Sequence, residues 1–178
     1  ITDGRGSTTN QQNRWPDILS KRLLANKKTR NVAVLNMGIG GNCVLRGGLG
    51  PTAMARYKRD LIDQAGVKWI ILFEAVNDLG GCRDGEQTAN RIIDFYKQVI
   101  AEAHTKGIKV FGGTITPFKN NGYYSEDHEK GRNIINSWMR STDLLDGVIE
   151  FDHAVRNPQD TISMNPDFLF ENDYLHPN

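Results

Sequence analysis

The chain has 178 residues, of which 24% are charged, and a formal net charge of +1; this length suits one domain with a substantial core. The near-neutral charge gives no electrostatic basis for binding nucleic acid or an anionic membrane surface, because polyanions are bound by a clustered basic excess. No apolar stretch approaches the roughly 20 residues that span a bilayer. Two cysteines, Cys43 and Cys82, are too few for a disulfide framework or a four-cysteine zinc site.

Helices and short apolar strands alternate along the predicted chain. Apolar residues at three- and four-residue spacing, such as Ile92, Tyr96 and Val99, indicate helices. Short runs rich in β-branched residues that end in glycine-rich or polar turns indicate strands. After a polar loop over residues 1–13, we predict a helix from Arg14, a strand over 31–36, a helix over 53–64, a strand over 67–73, a helix over 86–106, a strand over 108–114, a helix carrying Ile134, Ile135, Trp138 and Met139, and a strand over 147–151. The sequence between that strand and Asp173 is predicted to be irregular.

The predicted strands are continuous apolar runs, which is typical of a parallel sheet buried on both faces. We therefore expect an α/β fold, a three-layer α/β/α sandwich around a flavodoxin-like parallel sheet with right-handed crossovers. No repeat or linker divides the sequence, so residues 1–178 are predicted to form a single domain. In open parallel sheets, functional groups lie in the loops at the carboxyl ends of the strands. Polar segments follow the predicted strands at those ends.

Asp173 and His176 are the first candidate functional pair. A carboxylate three residues before an imidazole can accept a hydrogen bond from Nδ1–H, which leaves Nε2 free to accept a proton. These would be the acid and the base of a nucleophilic triad. The alternative is a surface histidine that happens to pair with a nearby aspartate.

Gly41 and Asn77 are candidate donors to an oxyanion. A glycine turn lets a backbone N–H approach a ligand closely, and an Asn side chain at a strand end offers an uncharged N–H. Such donors stabilise the tetrahedral intermediate of acyl transfer. The alternatives are that the glycines only make a tight turn and that the Asn77-Asp78 pair caps the next helix.

Four blocks of the sequence, taken together, resemble those of the SGNH (GDSL-type) hydrolases. They are Ile1-Thr2-Asp3-Gly4, Asn36-Met37-Gly38-Ile39-Gly40-Gly41-Asn42, Asn77-Asp78 and Asp173-Tyr174-Leu175-His176-Pro177-Asn178. The blocks occur in the order of that family and span essentially the whole chain. Residues 34–50 are most similar to a bacterial branch that includes esterases associated with xylan degradation.

The resemblance implies the SGNH hydrolase fold, hydrolysis of esters through a serine acyl-enzyme, and neither a metal nor an organic cofactor. Gly41 and Asn77 match the family's oxyanion glycine and asparagine. Asp173 and His176 match its acid and base. The sequence departs from the family at Ala75-Val76, before Asn77, where a glycine is common.

The family's nucleophile is a serine in a Gly-Asp-Ser block, and it would immediately precede Ile1. Ser7 is the nearest alternative in the sequence, but nothing places it at a strand end. The strand expected before the serine and the helix expected after His176 are not in the 178 residues either. We therefore expect these residues to be a fragment of a longer polypeptide, truncated at both ends.

The function expected from the resemblance is a serine esterase that removes acetyl groups from a carbohydrate, such as the plant polysaccharide xylan. Its partner would be a small-molecule or polysaccharide ester, and export from the cell would fit such a substrate. One alternative is a lipid-directed esterase, a lysophospholipase or thioesterase. The loop over 118–124, in which Phe118, Tyr123 and Tyr124 alternate with polar residues, favours a sugar surface. A further alternative is a binding module that has lost its nucleophile.

The two cysteines and the remaining three histidines are further candidate functional groups. Cys43 and Cys82 follow the two predicted oxyanion segments, so they are expected to be neighbours, either as a disulfide or as two free thiols. His104, His128 and His153 are predicted to be structural, because no pair has metal-binding spacing on one helix. The glycines at 38–41 do not form a dinucleotide-binding motif, since Cys43 stands where its third glycine would be.

Overall fold

The computed structural model describes all residues, 1–178, and contains a small parallel sheet with helices packed around it. The helices are α1 (Trp15–Ala25), α2 (Ala53–Tyr57), α3 (Val76–Leu79), α4 (Gly85–Thr105), α5 (Glu126–Ser141) and α6 (Phe151–Val155). A π-helical turn, Lys58–Ile62, extends α2, and a 3₁₀ turn covers Pro166–Phe168. The strands are β1 (Trp69–Leu72), β2 (Lys109–Gly113), β3 (Gly147–Ile149), β4 (Arg156–Asn157) and β5 (Asp160–Met164).

The central sheet has the order β1-β2-β3 and is parallel throughout. Trp69 pairs with Lys109 along the first ladder, and Phe111 pairs with Gly147 along the second. The long helix α4 connects β1 to β2, and α5 connects β2 to β3, which is the connectivity that parallel strands require. The carboxyl ends of all three strands therefore lie at one edge of the sheet.

Two adjacent glycines of β2 show that both faces of the sheet are covered. A Cβ at Gly112 would meet Met139 of α5, whereas a Cβ at Gly113 would meet Phe73 and Phe151. Successive residues of a strand point to opposite faces. On the second face Trp15 of α1 packs against these two phenylalanines, with ring centroids 6.4 and 5.3 Å apart. The layers are those of the predicted α/β/α architecture.

The main core lies between the sheet, α4 and α5. Its 20 buried residues include Ile92, Tyr96, Val99 and Ile100 of α4, which recur at the helical spacing seen in the sequence. Ile135 and Met139 of α5 face them. Gly131 of α5 lies so close to α4 that an added Cβ would be 2.7 Å from the carbonyl oxygen of Gly85, so the two helices meet almost backbone to backbone there.

One predicted strand, residues 31–36, is wrong. The segment is extended but pairs with no other strand, and Leu35 within it is 61% exposed. Trp69 on the open edge of β1 is likewise 52% exposed. Residues 31–36 thus have the apolar composition of a buried strand but no partner strand to which they are hydrogen-bonded. A strand is defined by that pairing and not by its composition.

The irregular region predicted after β3 contains structure that the sequence reading missed. β4 and β5 form an antiparallel hairpin, in which the side chain of Asn157 accepts the N–H of Gln159 at 2.9 Å. The signal for such a turn is the Asn-Pro-Gln-Asp stretch at 157–160. None of the helices combines the length and apolar composition needed to cross a membrane.

Candidate active site

Asp173 and His176 are held together in a compact C-terminal loop. The Asp173 carboxylate accepts hydrogen bonds from the N–H groups of Leu175 and His176, at 2.9 and 2.8 Å. Its other oxygen lies 2.6 Å from Nδ1 of His176. This pairing fixes the tautomer with the proton on Nδ1, and Nε2 of His176 has no hydrogen-bond partner within the protein. The imidazole is therefore oriented as a proton acceptor.

The surroundings of the pair favour an ionised carboxylate and a neutral imidazole. Burial acts to raise the pKa of Asp173, but the N–H groups of His176 and Leu175 and the His176 ring together hold that pKa below its ordinary value. Burial lowers the pKa of His176 below 6.5, and the Asp173 carboxylate opposes this only in part. A neutral imidazole near pH 7 can accept a proton.

The loop that carries Gly41 meets Asn77 just beyond the carboxyl end of β1. Asn77 is in the first turn of α3, and its Nδ2 donates to the carbonyl of Asn42 at 2.8 Å. Gly41 has a positive φ of 69°, which glycine adopts at no steric cost. The Gly41 N–H donates to no protein group. Asn77 retains a second amide hydrogen, so two uncharged donors remain available in this corner.

The residue after Asn77 clamps the same two loops together. The buried Asp78 carboxylate accepts the N–H groups of Val44 and Leu45, at 2.7 and 2.9 Å. Because both acceptors of one side chain are used on a neighbouring loop, the loop that carries Gly41 is fixed relative to α3. This explains why Asn77 and Asp78 occur as a pair, and the helix-cap alternative does not apply to either side chain.

The loop between β2 and α5 connects the two halves of the candidate site. Asn121 donates from Nδ2 to the carbonyl of Asp173 at 2.7 Å, and its Oδ1 accepts the Tyr123 N–H at 2.9 Å. The Tyr123 hydroxyl donates to Oδ1 of Asn77 at 3.2 Å. A continuous chain of hydrogen bonds thus runs from the loop of His176 to Asn77. The structure places all four predicted site residues at one edge of the sheet.

The first residues of the chain lie in the middle of this arrangement. The carbonyl of Thr2 accepts Nδ2 of Asn36 at 2.7 Å, and a Cβ at Gly38 would be 2.8 Å from the Asp3 nitrogen. Nε of Arg5 lies 3.8 Å from a carboxylate oxygen of Asp173, and a Cβ at Gly6 would be 2.8 Å from the Pro177 carbonyl oxygen. Ser7, in contrast, donates its hydroxyl to the Gly4 carbonyl and makes no hydrogen bond to His176.

Comparison with known proteins gives the family. The profile of the GDSL-like lipase/acylhydrolase family matches residues 1–178. The chain belongs to this family. It is also similar to a crystal structure from Bacteroides fragilis, that of a protein provisionally named an acylhydrolase, with 18% identity and a TM-score of 0.60 over 90% of this chain and 75% of that one. No curated protein matches the chain.

Membership of the GDSL-like lipase/acylhydrolase family confirms the family and the fold expected from the sequence. It also assigns the chain, in general terms, to the hydrolases that act on esters. The structure explains why glycine is common at this point of the family, where this chain has Ala75-Val76. Ala75 has a φ of 99°, in the left-handed region that favours glycine. Few residues other than glycine adopt this conformation without strain.

Sequence reasoning missed several residues of this GDSL-like site. Besides Asn121, these include Glu74, whose carboxylate lies 3.4 Å from Nη2 of Arg56. Burial raises the pKa of Glu74 to about 7, although the Arg56 charge opposes the shift. The only indication in the sequence is that Glu74 directly follows the apolar run of β1. A single glutamate after a strand is common, so this position alone does not predict a functional residue.

The two cysteines are free thiols, with Cys43 buried and Cys82 partly exposed. Burial raises the pKa of the Cys43 thiol, so this group is expected to be unreactive. Two groups of side chains could hold a metal ion: Cys82 with Asp127 and His128, and Glu150 with Asp152 and His153. Neither group includes Asp173 or His176.

Proposed function

We propose that this chain carries the acid–base and oxyanion groups of a serine esterase. His176 is the general base and Asp173 orients it, while the Gly41 N–H and the Asn77 side-chain amide stabilise the oxyanion. The nucleophile is the serine that the family's first block places immediately before Ile1. The observation that carries the proposal is the His176–Asp173 pair, with Nδ1 2.6 Å from the carboxylate and Nε2 free, in a loop that Asn121 and Tyr123 link to Asn77.

The mechanism follows from these positions. Nε2 of His176 takes the proton of the serine hydroxyl as its oxygen attacks the ester carbonyl, and Asp173 stabilises the imidazolium that forms. The carbonyl oxygen becomes negative and is bound by the N–H of Gly41, an amide hydrogen of Asn77 and the serine's own N–H. His176 then protonates the departing alcohol. Water repeats these steps on the acyl-enzyme and releases the carboxylic acid.

The substrate proposed is an acetyl ester on a carbohydrate, in an enzyme that is exported to reach it. A largely polar cleft of about 390 Å³ is lined by Arg46, Asp78 and Cys82 among others, and none of the four proposed catalytic residues lines it. Arg46 lines this cleft and lies 3.5 Å from the Asn77 carbonyl oxygen. Tyr123 supplies an aromatic ring next to the same amide. A sugar ring is recognised by this combination of aromatic and hydrogen-bonding groups more readily than an acyl chain.

The experiment is a rate comparison in the natural full-length protein. Replacing Asn77 with Ala should lower kcat on an aryl acetate by roughly 10²–10³, the usual cost of one oxyanion donor. Replacing Asn13 with Ala, in the exposed loop before α1, is the matched control and should leave kcat unchanged. An unchanged kcat for Asn77→Ala would remove that residue from the role.

A series of nitrophenyl esters from acetate to octanoate, followed by acetylated xylan, separates the candidate substrates. The proposal predicts the highest kcat/KM at acetate and release of acetate from the polysaccharide. Activity that rises beyond butyrate would indicate a lipid-directed esterase. No turnover of any ester by the full-length protein would favour the binding-module alternative.

A further inference from the structure

Cys82, Asp127 and His128 form a compact group on the wall of the candidate site, here called the Cys82 cluster. One possible ligand atom from each residue lies within 4.8 Å of the others. Cys82 is in the loop after α3, whereas Asp127 and His128 are in the first turn of α5. Forty-five residues separate the two segments in the sequence, and the fold alone brings these side chains together.

The hydrogen bonds of His128 suggest that a cation belongs beside it. Nδ1 lies 2.6 Å from the carbonyl of Tyr123, and Nε2 lies 3.3 Å from the carbonyl of Cys82. A neutral imidazole donates from only one nitrogen, and the shorter contact assigns the proton to Nδ1. The lone pair of Nε2 then faces a carbonyl oxygen, and either a second proton or a metal ion on Nε2 would remove this repulsion.

The other two side chains are oriented in the way that metal ligands commonly are. One oxygen of Asp127 accepts the Gly85 N–H at 2.6 Å, which leaves the second oxygen free. The His128 contact with a backbone carbonyl is the usual outer partner of a metal-bound imidazole, and such partners hold ligands ready for the ion. The Cys82 thiol contacts only the Leu79 carbonyl, at 3.1 Å, and can turn away from it.

We propose that the Cys82 cluster binds Zn²⁺, with the Cys82 thiolate, Nε2 of His128 and a carboxylate oxygen of Asp127 as ligands. Sulfur, imidazole and carboxylate together suit zinc, with bonds of about 2.0–2.3 Å. The three ligand atoms lie within 4.8 Å of one another, so movements of the side chains alone can bring them to bonding distance of one ion. The Cys82 carbonyl or water takes the fourth position, and the thiol proton is released to solvent on binding.

The ion would act on the structure of the site and not on the ester. It would join the segment that follows Asn77 to the first turn of α5. Tyr123, whose carbonyl orients His128, donates its hydroxyl to Asn77. Zinc binding would therefore hold the Tyr123 loop against the oxyanion corner, and the ester chemistry at His176 would proceed without any contact with the metal.

The second group of possible ligands, Glu150 with Asp152 and His153, does not support the same inference. Both of its carboxylates are already bound by Arg140, at 2.8 and 2.7 Å. Displacing a guanidinium from two charge-assisted hydrogen bonds opposes entry of a second cation. This group therefore provides a built-in control for the Cys82 cluster.

The test is metal binding by the natural full-length protein, purified without a polyhistidine tag and treated with a chelator. Zinc titration followed by calorimetry, with elemental analysis of the product, should give one Zn²⁺ per chain at micromolar or tighter affinity. Titration with Co²⁺ should produce a thiolate-to-cobalt charge-transfer band in the near ultraviolet. Cys82→Ser and His128→Gln should each weaken binding by about 100-fold or more, and Cys82→Ser should abolish the band.

His153→Gln and Cys43→Ser are the matched controls and should leave zinc affinity and the cobalt band unchanged. Circular dichroism and thermal melting of each variant establish that it is folded, so that a loss of binding is not a loss of structure. The proposal is overturned if the wild-type protein binds no zinc at micromolar concentration. It is equally overturned if binding is unaffected in both folded Cys82→Ser and His128→Gln proteins.

Discussion

At the scale of single residues, His176 is the group on which the proposed chemistry depends. Its ring is partly buried, it contacts Asp173 at 2.6 Å through Nδ1, and Nε2 is left free. Removing the carboxylate would allow the other tautomer and leave the imidazolium without its partner. By analogy with other serine hydrolases, the loss in kcat from such a change is on the order of 10⁴.

The pKa of His176 gives a pH prediction. A base must be neutral to accept a proton, and burial lowers this pKa below 6.5, so the neutral form persists further into acid than for a free histidine. We expect kcat/KM on an aryl acetate to be level above neutral pH. It should fall about tenfold per pH unit at low pH, with a midpoint below 6.5. A midpoint above 7 in the measured profile would contradict the assigned environment.

Burial raises the pKa of Glu74, which follows β1 at the same edge of the sheet, to about 7, so its titration could distort that profile. The full-length Glu74→Gln protein removes this titration while keeping the shape of the side chain. The midpoint below 6.5 should persist in Glu74→Gln if His176 is responsible. A midpoint that disappears with Glu74 would assign the titration to the glutamate.

Ala75 provides a second prediction at the residue scale, one that concerns stability. Ala75 and Ala89 are both almost fully buried, but Ala75 has φ 99° whereas Ala89 lies inside α4. Glycine at position 75 relieves a backbone strain of about 1–2 kcal/mol. This gain offsets the larger loss of backbone entropy on folding and the lost burial of the alanine methyl group. Glycine at 89 should cost about 1 kcal/mol or more.

Urea unfolding of the full-length Ala75→Gly and Ala89→Gly proteins measures this contrast. We expect Ala75→Gly to be neutral or stabilising by up to about 1 kcal/mol. Equal destabilisation by the two substitutions would show that the positive φ of Ala75 costs nothing. The departure from the family at this position would then have no energetic consequence.

At the scale of elements, one buried arginine joins a helix to the loop that carries Gly41. Arg56 of α2 donates to the carbonyl of Met37 at 2.8 Å and to the Asn42 side chain at 2.9 and 3.2 Å. It also pairs with Asp60 at 2.9 Å. Since the Asn42 carbonyl accepts the Asn77 amide, the arginine supports the oxyanion corner through the backbone.

Replacing Arg56 with Met should therefore affect stability more than an ordinary surface change does. It leaves the Asn42 side chain without its guanidinium donor and the buried Asp60 carboxylate with Arg59 alone, at 2.6 Å. Because Asp60 keeps that partner, the loss should not exceed the about 3–5 kcal/mol typical of breaking a buried pair. Arg22→Met on the exposed face of α1 is the matched control and should change stability by about 0.5 kcal/mol or less. Urea unfolding of both proteins would contradict the account if the two losses were equal.

The elements also show how far a single sequence predicts this fold. The long helix α4 was predicted to within one residue at each end, and α5 was predicted by its apolar face without bounds, because the spacing of Ile92, Tyr96 and Ile135 reports directly which face is buried. The strand predicted at 31–36 failed, because a ladder depends on a neighbour that local composition does not reveal. The β4–β5 hairpin was missed for the converse reason, since its strands are short and mostly polar.

The candidate site divides in the same way. Asp173, His176, Gly41 and Asn77 could be named from the sequence, because each carries a recognisable chemistry at a predicted strand end or in a short motif. Asn121 and Arg56 could not, because their importance lies in what they contact across 52 and 14 residues of chain. The sequence alone does not distinguish such supporting residues from other polar side chains, because their partners are known only from the fold.

At the scale of the whole molecule, the parallel sheet brings distant loops to one edge. The carboxyl ends of β1 and β2 lead into α3 and into the Tyr123 loop, and the C-terminal loop with His176 is attached to the latter through Asn121. The first residues of the chain enter the same corner at Gly38. The central proposal is that these loops surround the nucleophilic serine, which the family's first block is expected to place directly before Ile1.

Labelling of the full-length protein with a fluorophosphonate, followed by peptide mass spectrometry, tests this claim most directly. The account predicts a single adduct on the serine directly before Ile1, and its formation should be slowed by more than about 100-fold in His176→Ala, which lacks the base. An adduct on Ser7 or on another residue, or labelling that does not depend on His176, would contradict it.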